Sequence, residues 1–382
     1  MAKFSDNKFI GIDCLALPEK FSGAAFYIYY LTTGILAASR AHPVAVICKP
    51  QHAKLFQQHL SFGDKILTVP LRSQVEKLAF YEFRLKQLLL RENICLFYAT
   101  HYLCPPRDEQ YKIINTVHDM GFLRYPQYYP LVKRLYFGMR MRNILNRADQ
   151  LVAVSHATAA AICGQFPELA QKITVAYPGT DHLCSISKGA APIANGKPKA
   201  PYILAVNTFE IRKNIPFIIR LFEHLKRELR LPHQLMLVGQ PANDYRRVMK
   251  RVAQSPFKNE IAVTNWISNE KLVECYSHCD FFINASAYEG FGFTPFEAIS
   301  SGCPVFLFKN NTVAEIFGDH PYVIDNYDVE SWKTIIDLAI RSGFAEKISA
   351  RQISHLTWQR AAETVMPLIH HTISTRENSF VS

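Results

Sequence analysis

Residues 284–308 read NASAYEGFGFTPFEAISSGCPVFLF, and this stretch decides the fold. The run just before it, residues 279–283, is apolar and β-prone, so it reads as a buried strand. A glycine-punctuated turn follows, Glu289-Gly290-Phe291-Gly292. A helix is expected to open at Thr294-Pro295-Phe296-Glu297, to close at Gly302, and to lead into a second buried strand over residues 304–308. Strand, turn, helix and strand make one βαβ unit of a parallel sheet. Glycines before a helix start let backbone N–H groups approach an anion that the helix dipole also favours, so the turn is a phosphate site by position.

Two carboxylates frame this turn, Glu289 in the loop and Glu297 in the first helical turn. Each has a plain reading. Thr294-x-x-Glu297 with Pro295 at the helix start fits a capping box, and Glu289 fits a solvated loop residue. Paired across a glycine turn, they also suit sugar binding, because carboxylates accept hydrogen bonds from sugar hydroxyls while the turn's amides take phosphate charge. The run Glu289-Gly290-Phe291-Gly292 through Glu297-Ala298, with Gly302-Cys303-Pro304-Val305 after it, resembles the E-x7-E signature of retaining glycosyltransferases of the GT-B fold, family 4 above all. That resemblance implies an α/β protein of two Rossmann-like, doubly wound parallel-sheet domains facing a central cleft.

Bulk properties agree with such a chain. A length of 382 residues suits two ordinary domains, and 49% hydrophobic with 20% charged residues describes a soluble globular protein. The net charge of +11 points to anionic partners: nucleotide-sugar phosphates, an anionic membrane surface or nucleic acid. No zinc-finger or RRM-type motif supports the last of these. Nine cysteines scattered singly fit a reducing compartment. Cys275 and Cys279 flank His278 and could form a metal clip, but without a partner pair they read as buried thiols. Residues 21–39 carry no charge, yet Ser22, Gly23, Thr32, Thr33 and Gly34 argue for a buried helix over a membrane span. With no secretory signal, a cytoplasmic protein is expected, with peripheral attachment to the inner face of the plasma membrane as the option its charge opens.

Strands are expected at residues 9–13, 44–48, 65–69, 94–98, 112–117, 150–154 and 173–176, with helices between them, notably 73–91 and 131–148. A second series falls at 202–206, 234–238, 260–263, 280–283, 304–308 and 322–324. Between the two series lies SISKGAAPIANGKPK, rich in glycine, proline and lysine. The expected organisation is an acceptor-side domain at 1–185, a linker at 186–200, a donor domain at 201–355 and a helical tail at 356–382. The resemblance implies that the tail crosses back to the first domain, with Trp358 as its anchor.

Asn207-Thr208-Phe209-Glu210-Ile211-Arg212-Lys213-Asn214 follows the first strand of the second series. It reads either as a charged loop with Asn214 capping the next helix, or as a phosphate clamp with Arg212 as a fork and Lys213 as a point charge. The resemblance favours the clamp, since the family's R-K-N element holds the donor pyrophosphate. Many members also carry an arginine directly after the strand, where this chain has Asn207 and Thr208. By the same resemblance Glu297 would hold the nucleotide ribose and Glu289 the transferred sugar. Backbone amides of Gly290, Phe291, Gly292 and Phe293 would meet sugar or phosphates, Gly239 would line the nucleotide pocket, and Trp266 and Ile267 fall near the base-binding loop. His118 ends a strand in Val117-His118-Asp119 and reads as a structural hydrogen-bonder or a functional residue; the family's matching histidine contacts the donor sugar. Asp119 would fix the local loop. The family's glycine-rich loop is thinned here to Ser22-Gly23-Ala24-Ala25, which leaves Gly23 for close backbone approach. Ser155 reads as a helix cap and His156 as solvated.

The implied chemistry is retaining hexosyl transfer by a front-face mechanism, with His118, Glu289, Lys213 and Arg212 as the catalytic set. No metal and no cofactor besides the nucleotide-sugar substrate are expected, since no DxD-like pair stands in the expected place. The narrow expectation is mannose from GDP-mannose, moved to a glycan or lipid-linked acceptor in bacterial surface polysaccharide synthesis. The alternatives are a nucleotide-sugar enzyme without a glycan acceptor and a catalytically dead GT-B scaffold. Lys133, Arg140 and Arg147 recur every seven residues in the stretch 125–147, so they share a helical face that is either solvated or docked on anionic lipid.

Overall fold

The strands of the computed structural model, which describes residues 8–19, 21, 23–39, 41–183 and 200–378, form two wholly parallel sheets. The first comprises β1 Phe9–Asp13, β2 Val44–Cys48, β3 Lys65–Thr68, β4 Ile94–Ala99, β5 Lys112–Val117, β6 Gln150–Ala153 and β7 Ile173–Val175. Its order is β3-β2-β1-β4-β5-β6-β7. The second comprises β8 Tyr202–Val206, β9 Gln234–Val238, β10 Ile261–Thr264, β11 Phe281–Asn284, β12 Val305–Phe308 and β13 Val323–Ile324, in the order β10-β9-β8-β11-β12-β13. Helices cover both faces of such sheets, which is why β2, β4 and β8 are apolar and buried along their whole length. The strand order reverses between β1 and β4 and again between β8 and β11, and ligands of doubly wound sheets sit beyond the strand ends at these points.

The described residues group into two units: one contains 8–120, 135–179 and 356–378, the other 121–134 and 180–355. Sequence order alone assigns residues 121–134 to the first domain, but their contacts lie in the second unit. Tyr125 meets Tyr288 with ring centroids 5.0 Å apart, and Asn243 Nδ2 donates to the Tyr128 carbonyl at 3.0 Å. Most of the glycine- and proline-rich linker, residues 186–199, lies outside the described residues, as does Ser22.

In the first unit the uncharged stretch is the helix Ala24–Ala38, whose residues Phe26, Tyr27, Ile28, Leu31, Ile35 and Leu36 are buried. The tail helix Trp358–Asn378 packs along it. A Cβ on Gly34 would fall 2.9 Å from the Ala362 Cβ, so glycine permits the close approach. Trp358 stacks on Tyr30 at 5.4 Å and meets Tyr27 edge-on at 6.2 Å. A stretch that must face a sheet on one side and a helix on the other has no place for a charge. Among the described residues, no helix is long and apolar enough to cross a membrane.

One expected helix is interrupted. Residues 73–91 form Gln74–Ala79, a π-helical turn Phe80–Arg84, and Leu85–Arg91. The turn directs the Tyr81 hydroxyl to the buried Asp13 carboxylate at the end of β1 and leaves Glu82 facing Arg147. Such bulges insert one residue into the helical repeat, which hydrophobic periodicity does not register.

Trp358→Ala removes the aromatic anchor of the tail helix and should destabilise the protein by about 3–5 kcal/mol. Urea unfolding measures this; an unchanged midpoint would show that the tail is not held there.

Candidate functional site

The site in the second unit grows from the ends of β8 and β11. Beyond β8, a single 3₁₀ turn Ile211–Lys213 is followed by Asn214 in the left-handed conformation, φ 50° and ψ 40°. Asn214 stands at the cap position of the helix Ile215–Glu228 but makes no side-chain cap bond, so the expected capping role is not what it performs. Its contribution is the backbone turn, a conformation asparagine tolerates better than most residues. That turn brings both cations onto the β11 loop. The Arg212 carbonyl accepts from the Ala287 N–H at 2.8 Å, and its guanidinium donates to Glu210 at 2.7 Å, the Tyr288 carbonyl at 2.9 Å and Glu289 Oε2 at 2.6 Å. The Lys213 ammonium donates to Glu289 Oε1.

Glu289 is therefore no solvated loop residue. It is 5% exposed and Lys213 8% exposed. Burial by itself would raise the Glu289 carboxyl, but the charges and hydrogen bonds of Lys213 and Arg212 outweigh it and bring it from 4.5 to about 2. Burial, and then the neighbouring Arg212 charge, push Lys213 below its ordinary value while Glu289 opposes them. The loop is also held from the far side. Asn311 accepts from the Glu289 N–H at 3.2 Å and donates to its carbonyl at 2.6 Å, and the Thr312 hydroxyl donates to the carbonyls of Glu289 and Gly290 at 3.2 Å. Asn310 caps the helix Asn311–Phe317 and ties it to the Ser286 carbonyl at 3.1 Å.

Gly292 has φ 84° and precedes the helix Phe293–Ser300, so the turn needs a residue that adopts the left-handed region. The helix begins at Phe293, and Thr294 lies inside its first turn; the expected capping box is not formed. The Glu297 carboxylate instead accepts from the Tyr276 hydroxyl at 2.9 Å and lies 3.2 Å from His182 Nε2, and all three residues are buried. Phe291 stacks on Phe296 at 4.6 Å and meets Phe293 at 5.2 Å. These rings pack on one another, so what residues 290–293 offer a ligand is backbone. Gly239 follows β9, and a Cβ there would fall 1.8 Å from the Asn207 carbonyl oxygen. Among the described residues, Asn207 Nδ2 and Ser286 Oγ are buried without a hydrogen-bond partner, one beyond β8 and the other beyond β11. Trp266, in the segment after β10, is half-buried.

In the first unit, His118 Nε2 donates to the Thr100 carbonyl at 2.8 Å, with Tyr27 edge-on to the ring at 4.9 Å. Burial lowers its pKa and the Thr100 bond only partly opposes this, so the ring is neutral with Nδ1 as its acceptor. The Tyr102 hydroxyl bonds both the N–H and the carbonyl of Asp119 at 3.0 Å, fixing the loop through backbone. Gly23 has φ 51° at the start of its helix, with open space where a Cβ would be. Ser155 caps its helix by accepting from the Thr158 N–H at 3.0 Å, and His156 is exposed. Cys275 and Cys279 are buried thiols, and Cys279 Sγ lies 3.0 Å from Cys303 Sγ.

The basic stripe differs from expectation. Arg147 makes a fork with Glu82 at 2.8 and 3.1 Å, and Arg140 reaches the same carboxylate at 3.1 Å. Two of the three cations thus hold their helix to the π turn. The outward arc of the helix Leu131–Arg147 carries exposed Leu131, Val132, Leu135 and Met139.

The structure joins Arg212, Lys213 and Glu289 directly, with Gly290 and Gly292 in the same loop. His182, Tyr276, Asn310, Asn311 and Thr312 were not singled out by sequence. No local motif marks His182, which lies 115 residues from its carboxylate partner.

Because the Glu289 pKa is lower in the folded state than its ordinary 4.5, the stabilisation it supplies is complete above about 4.5 and is lost as pH falls towards about 2. Glu289→Gln should be less stable than wild type at neutral pH, and the gap should close through that window. Urea unfolding across pH tests this; a gap that stays constant would contradict it.

Known proteins match the chain in the same order as its sheets. The family model for Glycosyltransferase Family 4 matches residues 21–182, and that for Glycosyl transferases group 1 matches residues 190–354. O-antigen chain mannosyltransferase B of Escherichia coli is 25% identical over 240 residues, 62% of this chain and 62% of its own length, so the match spans less than two thirds of that relative. O-antigen chain mannosyltransferase RfbU of Salmonella typhimurium is 25% identical over 305 residues, 76% of this chain and 80% of its own. The crystal structure of Anabaena HepE in complex with UDP and glucose superposes with a TM-score of 0.65 at 17% identity, covering 96% of this chain and all of that one, which is a likeness of fold. With two matched models along its length and a doubly wound parallel sheet in each half, the chain belongs to the family 4 glycosyltransferases of the GT-B fold.

Proposed function

We propose that the chain is a retaining, metal-independent hexosyltransferase that takes mannose from GDP-mannose and adds it to a glycan or lipid-linked acceptor in bacterial surface polysaccharide synthesis. The observation that carries the reading is the buried Arg212–Lys213–Glu289 cluster beyond the β8/β11 switch point. Two cations held on one carboxylate at that place suit a diphosphate leaving group. The O-antigen mannosyltransferase names of the relatives support the sugar and the pathway class, and the UDP and glucose of the HepE complex support a nucleotide-sugar donor.

In this reading Lys213 commits one of its three N–H donors to Glu289 and keeps the others for phosphate oxygens. The N–H groups around Gly290, Phe291, Gly292 and Phe293, at the start of an eight-residue helix, add to the same charge. Glu289 accepts hydrogen bonds from sugar hydroxyls. Held at a pKa of about 2, it is a weak base and a poor general base beside a phosphate oxygen, whose second pKa is roughly 6. The proton of the acceptor hydroxyl therefore passes to an oxygen of the departing diphosphate. The acceptor oxygen bonds to the anomeric carbon on the face from which the bond to phosphate breaks, so the configuration is retained. Glu297 takes the ribose hydroxyls and Gly239 borders the nucleotide. Roles for His118 at the donor sugar and for Gly23 at phosphate or acceptor rest on the family resemblance.

A lipid-linked acceptor would also explain the outward face of the helix Leu131–Arg147. The helix contains no acidic residue, and its apolar arc stands beside Arg134. Docking of this arc on anionic lipid would place the protein at the inner face of the plasma membrane.

Lys213→Ala should lower kcat with GDP-mannose by about 10²–10³-fold, and the product should keep the donor's anomeric configuration by NMR. Activity should survive EDTA. Near-normal turnover of the variant would remove Lys213 from the site, an inverted product the mechanism, and loss of activity with EDTA the metal independence. Leu135→Asp with Met139→Asp should reduce flotation with phosphatidylglycerol vesicles; unaltered flotation would exclude the apolar arc as the docking face.

A further inference from the structure

We propose that Tyr276 and His182 are positioning residues that set the Glu297 carboxylate as a two-oxygen acceptor for a vicinal diol, the ribose of the bound nucleotide; this deepens, and rests on, the donor reading above. Three separate segments meet at the carboxylate. Glu297 comes from the helix Phe293–Ser300, Tyr276 from the helix Asn269–His278, and His182 from the segment that leads into the linker. The Tyr276 hydroxyl donates to Oε2 at 2.9 Å, and His182 Nε2 stands 3.2 Å from Oε1. All three side chains are buried, Tyr276 completely.

Each carboxylate oxygen therefore has one of these two residues beside it. An sp² oxygen has two lone-pair directions, so the second direction on each suits an incoming hydroxyl. A carboxylate only accepts, which requires Nε2 of His182 to carry the hydrogen in this contact. Burial pushes the Tyr276 hydroxyl well above 10, so it remains a donor throughout the working range of pH. The His182 ring also meets the Phe293 ring edge-on at 5.8 Å, which ties it to the first turn of the helix that carries Glu297. A free carboxylate rotates about its terminal bond. One held by a donor on each oxygen presents a fixed edge, as partners of metal-ligating side chains do for their ligands.

The contrasting possibility is that the two donors only neutralise a buried acid. Stability falls on their removal in either case, so stability does not separate the two, but the ribose hydroxyls do. Titration calorimetry with GDP, UDP and their 2′,3′-dideoxy forms, on wild type, Tyr276→Phe and His182→Gln, makes the comparison. Wild type should bind the ribonucleotide at least about tenfold tighter than its dideoxy form, as expected for hydrogen bonds to a charged group. Tyr276→Phe should weaken the ribonucleotide about tenfold and the dideoxy form less than about twofold, closing the gap. His182→Gln should act in the same direction, and circular dichroism confirms that each variant is folded. If Tyr276→Phe fails to fold, His182→Gln decides the matter. Equal weakening of both nucleotides, or an unchanged gap, would overturn the positioning role. Wild type that binds neither GDP nor UDP would overturn the nucleotide reading, and this inference with it.

Discussion

A carboxylate taken out of water must be compensated by charge and hydrogen bonds, and at Glu289 two cations meet that demand. Lys213 and Arg212 reach it from the β8 loop while Asn311 and Thr312 grip its backbone from the helix after β12. Removing one partner of such a cluster leaves an uncompensated buried charge, which costs far more than the pair contributes in isolation. The loops beyond β8 and β11 are thus bound to a common conformation, and it is these loops that lie at the switch point. The bonds to Glu289 use one of the three ammonium donors of Lys213.

The two glutamates of the motif have different electrostatic settings although one glycine turn and one helix start separate them. Glu289 sits between two cations and is driven to low pKa. Glu297 is met by a tyrosine hydroxyl and an imidazole. The first setting keeps its carboxylate ionised down to low pH. The second suits one that must keep its direction. Equal spacing in sequence therefore does not mean equal chemistry.

The first unit shows charge used for architecture. Arg140 and Arg147 look from their spacing like an outward cationic face, yet both converge on Glu82 at the π turn. Heptad spacing places side chains on one face and says nothing about which way that face looks. The direction is set by Met141, Ile144 and Leu145, which are buried, and by the carboxylate that the π turn presents. Burying that face turns Leu135 and Met139 outward.

What the sequence by itself determined is local. Apolar runs of five or six residues marked strands such as β4 and β8 to within a residue, and the uncharged stretch after β1 read correctly as a buried helix. The glycine turn at Gly290 and Gly292, and the clustering of Arg212 with Lys213, were legible because turn chemistry and adjacency act over a few bonds. Tertiary structure alone decided which groups meet. Lys213 finds Glu289 at 76 residues' distance and His182 finds Glu297 at 115, and of the two readings that local sequence left open at Thr294 and Asn214 the capping one is not formed. A cap or a solvated loop is the outcome when only near neighbours compete for a polar side chain. Once a sheet brings distant strand ends together, a buried charge is held by whichever partner the fold delivers, and no local pattern records that choice.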